Sequence, residues 1–185
     1  MGFAQPKYRY ISEEEYLQGE EVSARRHEYL DGLVYAMAGA SDKHNLVAGD
    51  AFSLLNAQLP ADCEVFMADM KVRIQLQRKA IFYYPDVVVS CAADDRARYF
   101  RAKPCLIIEV LSRATARQDR GEKFWNYQQI PSLQEYLLLA QDVQEATLFR
   151  RAAGWQPEAY REGNIPLASV GLDIPLAALY RRVRL

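Results

Sequence analysis

Hydrophobic and polar positions alternate most regularly between Glu64 and Leu76. Phe66, Ala68, Met70, Val72, Ile74 and Leu76 fall on one face, and Asp69, Lys71, Arg73 and Gln75 on the other. A period of two over this length predicts one long strand, 64–76, with a buried and a polar face. After a turn at Arg78–Lys79, the β-prone run IFYYPDVVVS predicts a strand over 81–90, with Pro85 marking an edge, a bulge or the start of the inner strand and Asp86 at its mouth. A third apolar run, Cys105 to Leu111, is interrupted by a single carboxylate. Leu106, Ile108 and Val110 point one way along it, and Ile107, Glu109 and Leu111 the other. Apolar residues on both faces imply a strand covered on both sides, so Glu109 is expected on a buried surface. An ionised carboxylate there is costly unless a cation, a metal or hydrogen-bond donors compensate it.

A helix over 115–129 follows, with Thr115 as N-cap, Asp119 in the first turn and Pro131 beyond the end. Asp119, Lys123 and Tyr127 share one of its faces. A strand over 135–139 completes a strand–helix–strand unit, which normally joins parallel strands by a right-handed crossover. A Lys123 facing the first strand would approach Glu109, although the helix alone suits an ordinary Asp119–Lys123 surface pair equally well.

Upstream, Ser12 and Glu15 form a capping-box signature for a helix. A second short helical piece is expected over 23–30, carrying Arg25, Arg26, His27 and Glu28, then an Asp31–Gly32 turn into the strand LVYAMAGA. An apolar stripe predicts a helix over 43–59 that stops at Pro60. His44 begins that helix in a capping or hydrogen-bonding role. Downstream, 145–150 and 155–160 read as a hairpin, followed by a tail with a short strand and a docking segment. Thr147–Leu148–Phe149 reads as an exposed strand edge, and with Tyr180 it suggests a homodimer.

A chain of 185 residues fits one domain, with 1–10 as a flexible lead-in and 144–185 as a C-terminal hairpin and tail. It contains no long apolar run and no apolar leader segment, so a cytoplasmic protein with no membrane contact is expected. Cys63, Cys91 and Cys105 are odd in number and widely spaced, and read as buried thiols of a reducing compartment. His27 and His44 make no zinc site. A net charge of −1 makes no global case for nucleic-acid binding. A phosphate-binding surface would be a patch built from Arg25–Arg26, Arg96–Arg98–Arg101–Lys103, Arg150–Arg151 or Arg181–Arg182–Arg184.

The strands and helix together form a β-β-β-α-β core carrying Asp86, then Glu109, then Lys123. Paired carboxylates of this kind hold a hard divalent cation, which acidifies water and offsets charge on a phosphoryl oxygen. The arrangement resembles the PD-(D/E)XK nuclease superfamily, the restriction-endonuclease-like fold, and within it the small proteins of the Uma-two family. The resemblance rests on Glu28 and Asp31–Gly32 in RRHEYLDG, His44 ahead of its helix, Pro85–Asp86 in YYPDVVV, and IIEVLSRATARQDRGEKFWNYQQIPSLQEYLLL, and it spans roughly residues 10–150. It implies an α/β fold with a central mixed β-sheet flanked by helices, and an endonuclease acting on DNA with Mg2+, or Mn2+, as cofactor. Asp86 and Glu109 would be the metal ligands, with the Val110 carbonyl completing the shell. Leu111 occupies the motif lysine position, so the resemblance implies that Lys123 on the following helix has taken over that function. Glu28 would be an additional acid, from the N-terminal helix, orienting a metal-bound water. Two other readings remain open at this point. The absent lysine at 111 and the near-neutral charge suit a nuclease fold that binds nucleic acid or a partner protein without cutting. A two-carboxylate glycoside hydrolase built on Asp86 and Glu109 is the other, but it leaves Lys123 without a role.

Overall fold

The alternating run 64–76 does not stay in one sheet. In the computed structural model, which describes residues 9–112 and 115–185, Ala68 adopts a left-handed backbone (φ +56°) and divides the run. Residues 1–8 of the expected lead-in lie outside the described residues. In chain order the elements are α1 (Glu13–Val22), β1 (His27–Leu30), β2 (Leu33–Ala36), α2 (Asp42–Gln58), β3 (Glu64–Met67), β4 (Lys71–Leu76), β5 (Lys79–Tyr83), β6 (Val87–Ser90), β7 (Phe100–Arg101) and β8 (Leu106–Leu111). The crossover helix follows as α3 (Ala116–Gln118), a π-turn (Asp119–Lys123) and α4 (Phe124–Gln128). Then come β9 (Glu135–Ala140), β10 (Ala146–Arg150), β11 (Pro157–Tyr160), β12 (Asn164–Leu167), β13 (Leu172–Pro175) and α5 (Leu176–Leu179).

The expected strand 81–90 is divided at the same level, at Tyr84–Pro85–Asp86. One hairpin therefore begins in the sheet β2-β1-β5-β4-β7 and ends in the sheet β11-β10-β9-β8-β6-β3. Sequence alternation continues across this corner because each half buries one face in its own sheet. The larger sheet is mixed: β3–β6 and β6–β8 are antiparallel, and β8–β9 is parallel through the crossover helix. This is an α/β architecture of mixed sheets flanked by helices.

Strand β8 is covered on both faces, as its composition requires. Leu106, Ile108 and Val110 pack with Val47, Ala51 and Leu55 of α2 and with Leu176 and Leu179 of α5. Ile107 and Leu111 pack on the other side with Tyr127, Ile130 and Leu133 of the crossover segment and with Val72, Ile74 and Tyr83 of the second sheet. Outside that second sheet, Tyr16 of α1 stacks on Tyr29 and packs on Phe82. The capping box that starts α1 is present in both directions.

Several expectations are corrected. Residues 23–30 contain no helix; His27–Leu30 is strand β1. A short helical segment carries the full cost of nucleation, whereas Asp31 (φ +46°) and Gly32 (φ +94°) close a tight hairpin that pairs Glu28 with Tyr35. Gly32 is fixed by space as well, since a Cβ there would lie 2.1 Å from the Tyr10 ring. Thr115 stands at the N-cap without a side-chain capping bond; its Oγ1 faces Ser112 Oγ at 3.1 Å instead. Cys63 and Cys91 are joined in a disulfide rather than being free thiols, because the pairing of Glu64 with Ser90 sets the flanking cysteines opposite each other. Cys105 remains free, with its Sγ 3.8 Å from that of Cys91. Thr147–Phe149 is not a sheet edge, since β10 lies between β9 and β11. Tyr180 is buried, with its hydroxyl 2.8 Å from the Ala140 carbonyl and 2.9 Å from that of Glu145. Both features close the core, so the basis for a homodimer contact there is removed. Among the described residues, no helix is long and apolar enough to cross a membrane.

The two-sided cover of β8 has a measurable consequence. Ile107→Ala, at a fully buried site, is expected to lose about 2–5 kcal/mol of stability. Val34→Ala on exposed β2 should change stability by about 0.5 kcal/mol or less. Equal denaturant midpoints for the two variants would contradict the layer order.

Candidate active site

The pairing of β6 with β8 sets Val87 opposite Ile108, which brings Asp86 beside Glu109 and Val110. Asp86 Oδ2 accepts the Val110 N–H at 2.6 Å, and the Asp86 N–H donates to Glu109 Oε2 at 3.3 Å. Each acid is thereby fixed to the other's strand. Glu109 is buried, and its Oε1 accepts from the Tyr127 hydroxyl at 3.1 Å.

Lys123 enters from the π-turn. Its Nζ lies 2.8 Å from Glu28 Oε1 and 3.5 Å from both Glu109 Oε1 and Asp119 Oδ1. Asp119 and Lys123 are only 2% and 5% exposed, so they are not a solvated surface pair. Glu28 arrives from strand β1 and not from an N-terminal helix, and Gln118 Nε2 approaches its other oxygen at 3.4 Å. Leu111, at the motif lysine position, is packed in the core. The structure thus gathers Glu28, Asp86, Glu109, Val110 and Lys123, together with Asp119, Tyr127 and His44.

Burial dominates the electrostatics. It raises the Glu109 carboxyl pKa well above the ordinary range, with Lys123 opposing the shift and Asp86 and Asp119 adding to it. Asp119 is raised for the same reason, again opposed by Lys123. Burial alone would lower the Lys123 pKa, but Glu109, Glu28 and Asp119 outweigh it and hold the ammonium charged. Tyr127 is pushed up by burial and then by the Glu109 charge.

His44 does not cap α2; the Ser41 hydroxyl does so, accepting the His44 N–H at 3.2 Å. The imidazole turns inward, with Nε2 3.2 Å from Asp86 Oδ2. Burial disfavours the imidazolium, but Asp86 and the Val110 main chain overcome that and raise the pKa above 6.5. Two buried polar atoms at the site lack a hydrogen-bond partner, His44 Nδ1 and Asp119 Oδ1. The second is at ion-pair distance from Lys123 without a hydrogen bond.

Asp86, Glu109, Asp119, Lys123 and His44 line a cavity of about 840 Å³, whose wall also carries Arg25 and Arg26, the latter 3.0 Å from Asp69. The other basic clusters are largely occupied elsewhere. Arg96 and Arg101 pair with Glu64, Arg150 pairs with Glu135, Arg151 donates to the carbonyls of Leu133, Gln128 and Ile130, and Arg181 and Arg182 pair with Asp50. Among the described residues, no group of three or more His, Cys, Asp or Glu side chains is gathered to hold a metal ion. A hard cation held through two carboxylates does not need such a group, because main-chain carbonyl, water and substrate phosphate can fill its shell. The all-oxygen set of Asp86, Glu109 and the Val110 carbonyl is of that kind.

A mixed sheet with an acid at the mouth of one strand, an acid within the next, and a parallel crossover behind them defines a restriction-endonuclease-like, nuclease-fold protein. The chain belongs to the Uma2 family, described as "Putative restriction endonuclease", which it matches over residues 13–177. It is 38% identical over 176 residues to the uncharacterized protein slr1290 of Synechocystis sp., with 92% of each chain covered. It is 37% identical over 131 residues to the uncharacterized protein sll1609 of the same organism, covering 69% of this chain and 73% of that protein. Its fold is similar to that of a crystal structure described as a putative nuclease belonging to DUF820 from Anabaena variabilis. That match has a TM-score of 0.69 and 16% identity, and covers 86% of this chain and 92% of the other.

Two expectations follow from the charge cluster. A carboxyl whose folded pKa is raised contributes stability that is full below its unfolded pKa and is lost as pH rises through the folded value. Removing Lys123 removes what opposes the raise at Glu109. Lys123→Met should therefore lose about 3–5 kcal/mol near neutral pH, with the deficit narrowing as pH falls. Denaturant titrations across that range test this, and a deficit independent of pH would contradict it. For His44, NMR titration of the imidazole should give a pKa above 6.5 in the wild type, falling in Asp86→Asn; an unchanged value would mean that Asp86 is not its partner.

Proposed function

We propose that the protein is a divalent-cation-dependent endonuclease that hydrolyses phosphodiester bonds in DNA. The observation that carries this reading is the convergence of Asp86 and Glu109, from adjacent strands, with Lys123 from the crossover helix in a cavity of about 840 Å³. Membership in a family described as "Putative restriction endonuclease" supports it.

Asp86, Glu109 and the Val110 carbonyl would hold the cation, a donor set suited to Mg2+ and open to Mn2+. When bound, such a cation supplies Lewis acidity, which acidifies water and offsets charge at a phosphoryl oxygen. Lys123 takes the function that Leu111 leaves empty, presenting a fixed ammonium where negative charge builds on the phosphate. Glu28, 2.8 Å away, fixes where that ammonium stands. Asp119 Oδ1, buried with no hydrogen-bond partner, is an acceptor available to orient a water. Arg25 and Arg26 position backbone phosphates, contacts that set register without reading sequence.

One observation favours a second reading, a nuclease-fold module that binds nucleic acid or a partner protein without cutting. Three carboxylates already stand within 3.5 Å of Lys123, which leaves its charge largely spent.

Cleavage of supercoiled plasmid in Mg2+ or Mn2+ separates the two readings. The wild type is expected to nick or linearise the plasmid, and Asp86→Asn and Glu109→Gln are expected to lose activity while keeping the wild-type circular dichroism spectrum. Lys123→Met should lose most of it. Cutting that survives Asp86→Asn would remove the proposed site, and DNA binding without cutting would favour the second reading.

A further inference from the structure

A second cluster of reactive side chains lies outside the acidic cavity, where three cysteines meet at adjacent ends of β3, β6 and β8. Cys63 directly precedes β3, Cys91 directly follows β6, and Cys105 directly precedes β8. Antiparallel pairing of β6 with both neighbours brings these three ends together at one end of the larger sheet. Cys63 and Cys91 are joined in a disulfide, and the Cys105 Sγ lies 3.8 Å from the Cys91 sulfur. The Cys105 N–H donates to the Val89 carbonyl at 2.9 Å, and its thiol faces the same oxygen at 3.5 Å. Both contacts hold the third sulfur against the existing bond. All three residues are partly buried, so they are shielded from bulk solvent but open to small reagents.

We propose that these three residues form an internal thiol–disulfide exchange site, with Cys105 as the attacking thiol and Cys91 as the shared sulfur. The Cys105 thiolate attacks Cys91 Sγ, a Cys91–Cys105 bond forms, and the Cys63–Cys91 bond breaks. The electron pair leaves on Cys63, which takes up the proton that Cys105 gave up. One disulfide and one thiol stand on each side, so the step needs no outside oxidant or reductant. Burial raises the Cys105 pKa, which keeps the thiolate scarce and the exchange slow. The exchange moves a covalent tie from one pair of strands to another. The Cys63–Cys91 bond pins edge strand β3, whose other end continues through Met67, Ala68 and Asp69 in the wall of the acidic cavity. The Cys91–Cys105 bond releases β3 and joins instead the two strands that position Asp86 and Glu109. None of this depends on which reaction the acidic cavity carries out.

The test maps the free thiol of the full chain, purified without reductant and held at mildly alkaline pH. Samples are taken over minutes to hours, the range of uncatalysed disulfide rearrangement. Each is trapped with excess N-ethylmaleimide in denaturant, digested with trypsin at mildly acidic pH to prevent scrambling, and read by mass spectrometry. Cuts at Lys71, Arg96 and Arg101 place the three cysteines on separate peptides. In the wild type the label is expected on Cys63 as well as on Cys105, with linked peptides for both the Cys63–Cys91 and the Cys91–Cys105 bonds. The label on Cys63 should vanish in Cys105→Ser, which retains the Cys63–Cys91 bond alone. Cys63→Ser should form the Cys91–Cys105 bond on mild oxidation. The wild-type map decides even where a variant folds poorly. Label confined to Cys105 at every time, beside an intact Cys63–Cys91 bond, overturns the exchange and leaves the disulfide standing. Label on Cys63 that persists in Cys105→Ser also overturns it, since Cys63 is then freed by another route. Absence of any Cys63–Cys91 linkage overturns the disulfide and the exchange together.

Discussion

Burying a charged amine among carboxylates is costly, because each ion gives up its hydration and recovers it only through partners at good geometry. Lys123 meets that condition with acids from three separate elements: Glu28 on β1, Glu109 on β8 and Asp119 at the start of the π-turn. Strand β1 belongs to the smaller sheet and β8 to the larger one. The ammonium is thus the polar point at which the two sheets and the crossover helix meet, inside an otherwise apolar contact of Val72, Ile74, Ile107 and Leu138. The placement of Glu28, the aim of the helix and the depth of Glu109 all depend on it.

The π-turn is part of the same constraint. Such turns interrupt an α-helix by a local widening and recur at functional sites. Here the widened turn, Asp119–Lys123, begins and ends on the two ionic residues. Leu111 shows why the cation comes from this helix. It lies at the end of β8 on the face that also carries Ile107 and Glu109, and it is spent on packing. The crossover helix covers that same face, so a lysine on it reaches Glu109 without disturbing the strand.

The part of the fold most legible in the sequence is the segment around β8, the crossover helix and β9, where apolar period, helix stop signals and a lone carboxylate agreed. Glu109 was expected to be buried because its strand is apolar on both faces, and it is. The corner at Ala68 and Tyr84–Asp86 was hidden, since alternation carries through a bend that moves a strand from one sheet to another. Glu28 was misplaced on a helix because a short charged stretch has no period of its own. Only pairing with Tyr35 across the Asp31–Gly32 turn makes it a strand. The Cys63–Cys91 bond spans 28 residues and follows from strand register, which composition does not report. His44 carried a weak signal, a polar residue at the start of an apolar helix, but its partner Asp86 lies on a different element.

The arginines carry the synthesis one step further. Sequence clusters of positive charge suggested several phosphate-binding patches, yet most of those guanidiniums are held by Glu64, Glu135, Asp50 or main-chain carbonyls. What remains beside the cavity is Arg25, with Arg26 paired to Asp69 at 3.0 Å, facing a group of acids that outnumbers Lys123. A polyanion approaching such a cavity meets repulsion from Asp86, Glu109 and Asp119, and in a low-dielectric recess salt screens that repulsion less than it would at the surface. On the proposed reading, the surplus of acid therefore makes DNA binding at the site, and not only cleavage there, depend on added positive charge. The same surplus that sets the electrostatics of the buried lysine sets the condition under which a phosphate can enter.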